Sequence, residues 1–254
     1  MLGLEYSNDN HKAEKYCEPF VIKWLTDTIG EKHKYKIIPI PNYSTDPKLK
    51  DDVNNNIYEG LQSSHVDVWV NFYGRRKPRF IDFKGTYGVK WSGEKFEGYG
   101  ILTMEMYWRL KSNPKEVHKS YAFIGNFGLE KDCLELLYAS KEMMILIPKN
   151  KLAKVMQDSK YKWKFDVTNV EWVDNESDGT KQKQSKNIKF NLQNENDLEI
   201  LDAAGTLLYI LCKDGAYKEY SILYAKEYIK IMKKRFKKMQ NNRQNHTRNM
   251  DCPK

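Results

Sequence analysis

The chain has 254 residues, 30% of them charged, and a formal net charge of +9, which is long enough to bury a real core in one domain, or in one domain with an appendage. No segment approaches the apolar length needed to span a bilayer, and Glu5, Asn8, Asp9 and His11 interrupt any apolar leader near Met1, so no membrane role and a cytoplasmic location are expected. Cys17, Cys133, Cys212 and Cys252 lack the paired spacing of a zinc site or a disulfide framework, and isolated thiols suit a reducing compartment.

In chain order, residues 9–29 read as an amphipathic helix, capped by Asn8 or Asp9 and stopped at Gly30. Tyr35 to Ile40 reads as a strand, and residues 41–56 as an Asn-, Asp- and Lys-rich loop. Two β-rich runs follow, His65-Val66-Asp67-Val68-Trp69-Val70 and Arg79-Phe80-Ile81-Asp82-Phe83-Lys84, around Gly74-Arg75-Arg76-Lys77-Pro78. The intervening turn chemistry predicts an antiparallel hairpin. Beyond it lies a glycine-rich stretch from Gly85 to Gly100 that carries Trp91, Phe96 and Tyr99. Ile101 to Leu110 fits a helix covering the sheet. Ser120 to Gly125 and Met143 to Ile147 read as strands, the second running into a Lys-rich helix near 150–157. Asp174 to Lys189 is polar and reads as a linker. Residues 196–211 and 215–239 read as two helices around Lys213-Asp214-Gly215, and residues 241–254 as disordered.

The hairpin holds the chemistry. Side chains alternate faces along a strand, so Val66, Val68 and Val70 share one face while His65, Asp67 and Trp69 share the other. In the second run Phe80, Asp82 and Lys84 lie opposite Ile81 and Phe83. One turn register pairs Asp67 with Lys84 and Trp69 with Asp82; a register one residue back pairs Asp67 with Asp82. Both leave two carboxylates and an ammonium within reach of a common ion. On a solvated face the same residues would be only a cross-strand ion pair of little energetic worth. The apolar flanks favour burial, and buried carboxylates close together need compensation, which a cation supplies most simply.

Asp67, followed by Asp82-Phe83-Lys84 in a second hydrophobic strand, resembles the PD-(D/E)XK, or restriction-endonuclease-like, nuclease superfamily, over roughly residues 9–155. Glu14, in Ala13-Glu14-Lys15-Tyr16-Cys17, stands where that family's helical acidic residue usually stands; read without the family, it is a first-turn carboxylate favoured by the helix dipole. Val66 replaces the family's Pro before the first Asp. The resemblance implies an α/β fold with a mixed central sheet flanked by helices. It also implies Mg²⁺, with Mn²⁺ as a substitute, held by Asp67, Asp82, the carbonyl of Phe83 and, through water or a second ion, Glu14. Oxygen donors suit such ions. Lys84 would orient and help deprotonate water, or stabilise the phosphate. The implied reaction is phosphodiester hydrolysis in DNA, with RNA-directed or junction-specific cleavage, and nucleic-acid binding without turnover, as the alternatives.

Charge distribution points to the same partner. Residues 226–254 hold ten Lys or Arg against two acids, a net of +8, which leaves +1 for everything before them. Lys233, Lys234, Arg235, Lys237 and Lys238 form one helical block able to neutralise phosphates, although a solvated helix end or a membrane-surface helix would have the same composition. Arg75, Arg76 and Lys77 at the hairpin tip form a second basic cluster. Tyr217, Tyr220, Tyr224, Tyr228 and Ile231 recur at helical steps; such a stripe is more often a packing face, docking onto the core or onto a second subunit in a homodimer, than a platform for stacked bases. The expected organisation is a nuclease-like core over 1–165, a polar linker over 166–195, a C-terminal helical hairpin over 196–240 as a helical extension, and a disordered basic tail over 241–254.

Overall fold

A computed structural model describes residues 9–30, 33–40, 60–61, 66–74, 76–85, 90–91, 96–97, 100–119, 133–168, 170–175 and 183–250. Helix α1 (Asp9–Ile29) opens the chain. Cys17, Val21, Trp24, Leu25 and Ile29 form its buried stripe, spaced as one face of a helix requires. Gly30 ends it at φ +68°, its N–H donating to the Thr26 carbonyl, a left-handed stop that glycine adopts without strain.

Among the described residues, seven strands form a mixed sheet in the order β1 (Tyr35–Pro39), β2 (Val68–Phe72), β3 (Arg79–Gly85), β8 (Leu134–Ala139), β9 (Met143–Pro148), β12 (Leu207–Leu211), β13 (Tyr217–Ser221). The β3–β8 pair is parallel and the others are antiparallel. Strands β8 and β9 sit centrally and are buried along nearly their whole length, as strands covered on both faces must be. One face packs on α1 through Val68, Val70, Ile81, Phe83, Leu137, Met144 and Leu146.

The opposite face, with Leu136, Tyr138, Ile145, Ile147 and Leu208, is covered by a second sheet and by helices. That second sheet is antiparallel, in the order β10 (Val173–Asn175), β11 (Lys183–Asn191), β6 (Ile101–Leu110), β7 (Asn113–Lys119). Two short strands, β4 (Lys90–Trp91) and β5 (Phe96–Glu97), pair separately. The covering helices are α2 (Lys149–Gln157), the short α3 (Lys162–Phe165), α4 (Glu195–Ala203) and α5 (Ala225–Met250). The architecture is therefore mixed α/β, with a large mixed sheet flanked by helices.

Several expectations are corrected. Ile101–Leu110 is a strand, not a helix: Leu102, Met104 and Met106 are buried while Ile101 and Thr103 are exposed. This is the period of two that an inward-facing sheet imposes, and Met104, Tyr107 and Trp108 only imitated a helical step. The polar stretch 174–189 is not a linker, since β10 and β11 use it. Within β11 the buried apolar side chains are Ile188 and Phe190, so the strand needs little apolar content. The helical hairpin over 196–240 is replaced by α4, the β12–β13 hairpin and α5. Gly205 at φ +64° stops α4, and Gly215 at φ +82° turns between the strands. Residues 241–250 continue α5 rather than forming a disordered tail, and 251–254 fall outside the described residues, as does the strand expected over 120–125.

Gly100, at φ +85°, precedes β6 where α5 crosses. A Cβ there would lie 2.7 Å from Cδ1 of Ile229, and the Gly100 carbonyl accepts from the N–H of Leu192 at 2.6 Å. Gly100→Ala should lower stability by about 1–2 kcal/mol, through backbone strain and the displaced isoleucine. A urea midpoint equal to wild type would refute that.

Candidate active site

The hairpin forms as expected, in the second of the two registers. Trp69 pairs with Phe80 and Val68 with Ile81, and the Trp69 and Phe80 rings stack at 6.2 Å. Just before β2 the ladder is irregular: Asp67 N–H donates to the Ile81 carbonyl at 2.9 Å, although Ile81 already partners Val68. Two successive residues thus oppose one, as in a bulge, which re-aims side chains. The consequence corrects the simple alternation. Val66 does not join Val68 and Val70 towards α1 but packs with Phe80 and Leu134 on the other face. The Asp67 carboxylate turns to β3, where Oδ2 accepts from the N–H of Phe83 at 2.8 Å.

Asp82 is fully buried. Its two oxygens face two ammonium groups: Oδ1 lies 2.9 Å from Nζ of Lys84, and Oδ2 accepts from Nζ of Lys149 at 3.2 Å. Lys149 is the first residue of α2 and is 7% exposed. Burial holds its ammonium below the usual lysine range, and the Lys84 charge pushes the same way; Asp82 and, more weakly, Asp67 oppose the shift. Both carboxylates therefore act on one ammonium. An isolated buried charge costs several kcal/mol, so this cluster survives only because its members compensate one another.

Tyr138 completes the wall. It lies beside Lys84 across the β3–β8 register and donates its hydroxyl to the Thr103 carbonyl at 2.8 Å, fastening β6 over this part of the sheet. Burial raises its phenol above the usual range, with Lys84 pulling the other way.

Sequence reasoning missed Lys149 and Tyr138, yet Lys149 left a signal. It follows Ile145 and Ile147 in the same parity, so a strand there aims all three to the face that bears Asp82. Of the other expected residues, the described basic ones lie away from this cluster. Glu14 lies in α1, but its side chain is outside the described residues, as are His65 and Arg75. Arg76 and Lys77 are exposed at the end of β3 remote from Lys84, roughly 23 Å away at the rise of a strand. They line a cavity of about 640 Å³ with Arg79, Glu135 and Tyr209, on the α1 side. The Arg76 guanidinium lies 4.3 Å from the centroid of the Phe72 ring. The hairpin tip is therefore not beside the carboxylates. Lys234, Arg235, Lys237 and Lys238 are exposed on α5, and Lys233 is half-buried, donating to Oε1 of Gln193.

The donor set suits a hard cation. The Asp67 carboxylate sits on the Phe83 N–H, Asp82 precedes Phe83 in β3, and the side-chain ligands both offer are oxygens. Among the described residues no cluster of three or more His, Cys, Asp or Glu is found; an ion held by Asp67, Asp82 and the Phe83 carbonyl would need water or substrate phosphate to complete its shell. Lys84 stands beside Asp82 Oδ1 with its side chain 37% exposed, which leaves it room to swing aside. Comparison of the chain with protein-family models, with curated proteins and with solved structures found no match.

Proposed function

We propose that this protein is a divalent-metal-dependent nuclease of restriction-endonuclease-like fold that hydrolyses phosphodiesters in DNA. The observation that carries the reading is the buried Asp82 carboxylate between Lys84 and Lys149, with the Asp67 carboxylate seated on the adjoining Phe83 N–H. Asp67, Asp82 and the carbonyl of Phe83 would hold Mg²⁺ or Mn²⁺, with Glu14 as a further donor; the ion, when bound, supplies Lewis acidity and an activated water. Lys84, the more exposed ammonium, meets the substrate side. It orients the attacking water or neutralises charge growing on the phosphate oxygens. Lys149 holds Asp82 in place from within and offsets its burial. Tyr138 keeps its proton and fixes β6 beside the site.

Lys84→Ala should lower Mg²⁺-dependent cleavage by about 10²–10³-fold, while DNA affinity in EDTA changes by less than about threefold, one lost ion contact being worth roughly 0.5 kcal/mol at an exposed site. Cleavage at the wild-type rate would remove Lys84 from the mechanism, and substrates of DNA, RNA and junction form in one panel define the polymer. A second reading has its own support: Asp82 is already balanced by two ammonium groups, so a protein that binds nucleic acid without cutting it would need no ion here. That reading requires binding indifferent to chelation and no cleavage of any polymer.

Helix α5 supplies the expected grip on the phosphate backbone. Its 26 residues span about 39 Å, and Met232 is the last described residue of the helix whose side chain is buried. Removing residues 233–254 should reduce the slope of log affinity against log salt by on the order of 3–5 units, each neutralised phosphate contributing about 0.9. An unchanged slope would exclude α5 as the clamp.

A further inference from the structure

The expected tyrosine stripe divides into two parts in the structure. Tyr217 and Tyr228 are buried and do the packing that a stripe implies. Tyr220 and Tyr224 instead stack on each other at 5.2 Å with 21° between their planes, and Tyr224 is 38% exposed. Around them is a groove of about 490 Å³ between the β12–β13 turn and α5, lined also by Ile231, Lys213, Asp214, Lys218 and Arg235. Its floor includes Cys212, whose Sγ is 3.8 Å from the Tyr220 hydroxyl. Asp214 is occupied by Lys218 at 2.6 Å, so Lys213 and Arg235 leave the groove positive.

Its position relates it to the candidate site. Lys84 pairs with Tyr138, Tyr138 with Ile145, Ile145 with Leu208, and Leu208 with Tyr220. These five residues form one row across the sheet, on one face, with Lys84 at one end and Tyr220 at the other. Four strand spacings separate the ends, roughly 19 Å; Tyr138, Ile145 and Leu208 between them are buried beneath the second sheet and its helices, so the row gives a separation and not a path for the strand. Arg235 also belongs to the basic block of α5, which makes the groove continuous with that surface.

We propose that this groove holds an unpaired DNA strand, with a base continuing the Tyr220–Tyr224 stack and its phosphates against Arg235 and Lys213. Aromatic stacking beside a cationic track is how single strands are held without sequence preference, and a base requires the flat exposed ring that Tyr224 offers. The inference rests on the nuclease reading and narrows its substrate to DNA that carries an unpaired strand. Asp214 and Lys218 form the outer rim, and the buried Tyr228 carries the inner wall.

The test is binding of a labelled oligothymidylate and of a blunt duplex in EDTA, by wild type, Tyr224→Ala and Tyr224→Phe. The expected result is an oligothymidylate affinity about tenfold weaker in Tyr224→Ala, towards the lower end of the range for losing one stacked base, and retained in Tyr224→Phe. The ratio of single-strand to duplex affinity should fall accordingly. Equal affinities for wild type and Tyr224→Ala would overturn the proposal, as would a shift in the monomer–dimer equilibrium of Tyr224→Ala in sedimentation without a change in binding, which would assign the groove to a second copy. A Mg²⁺ arm separates the two claims. Tyr224-dependent binding with no cleavage retains the groove and removes the nuclease; cleavage with Tyr224-independent binding does the reverse.

Discussion

Asp82→Asn should lower metal-dependent cleavage by on the order of 10³-fold, the largest loss expected from any single substitution in this chain. The change keeps the shape of the side chain but removes the charge at the centre of the cluster. Asp82 is fully buried, and its carboxylate is approached by both Lys84 and Lys149. An amide at this position can accept from one ammonium, but its nitrogen then meets the other as a donor against a donor. The variant therefore loses a ligand charge and also lets Lys84 leave its place. Purified Asp82→Asn with wild-type activity would show that the site is elsewhere.

The second large effect is on stability and needs no substrate. Lys149→Met should destabilise the fold by about 3–5 kcal/mol, because removing one partner of a buried pair leaves the other charge uncompensated. Lys84 remains near Asp82 but with its side chain 37% exposed, so it offsets only part of the loss. Asp82→Asn combined with Lys149→Met should recover much of it, since replacing both members is far cheaper than replacing one. The expected signature in urea unfolding is thus a strongly non-additive cycle with a coupling of about 2–3 kcal/mol, the upper range for residues in direct contact. Additive effects would mean that Lys149 and Asp82 do not depend on each other, and the account of the site's internal balance would fail.

How much of this was legible in the sequence varies with what each segment has to satisfy. The β2–β3 hairpin could be read because a period of two and a turn rich in Gly, Arg, Lys and Pro agree. Alternation alone allows two registers, and the Trp69–Phe80 stack that distinguishes them is a pairwise preference that only the folded sheet exposes. The bulge at Asp67 could not be read, because it depends on where Val66 finds apolar partners, namely Phe80 and Leu134. Leu134–Ala139 went unread as a strand: a short apolar run has no period to distinguish strand from buried helix. Leu207–Leu211 reads equally as helix for the same reason, although Gly205 and Gly215 bracket it and it forms β12. Lys149 was hidden among many lysines, and its distinction is burial, which composition does not report. Asp82 and Lys84 were legible because charge inside an apolar strand is costly enough to demand a cause.

The most direct test of the central claim is the cleavage of supercoiled and linear DNA by the wild-type protein in Mg²⁺ beside the same reaction in EDTA. The account predicts strand scission in Mg²⁺ or Mn²⁺, abolished by EDTA and restored when the ion is added back. Intact DNA in every metal, from a protein that still binds it, would contradict the account and leave the carboxylate–lysine cluster as a structural feature of a binding protein.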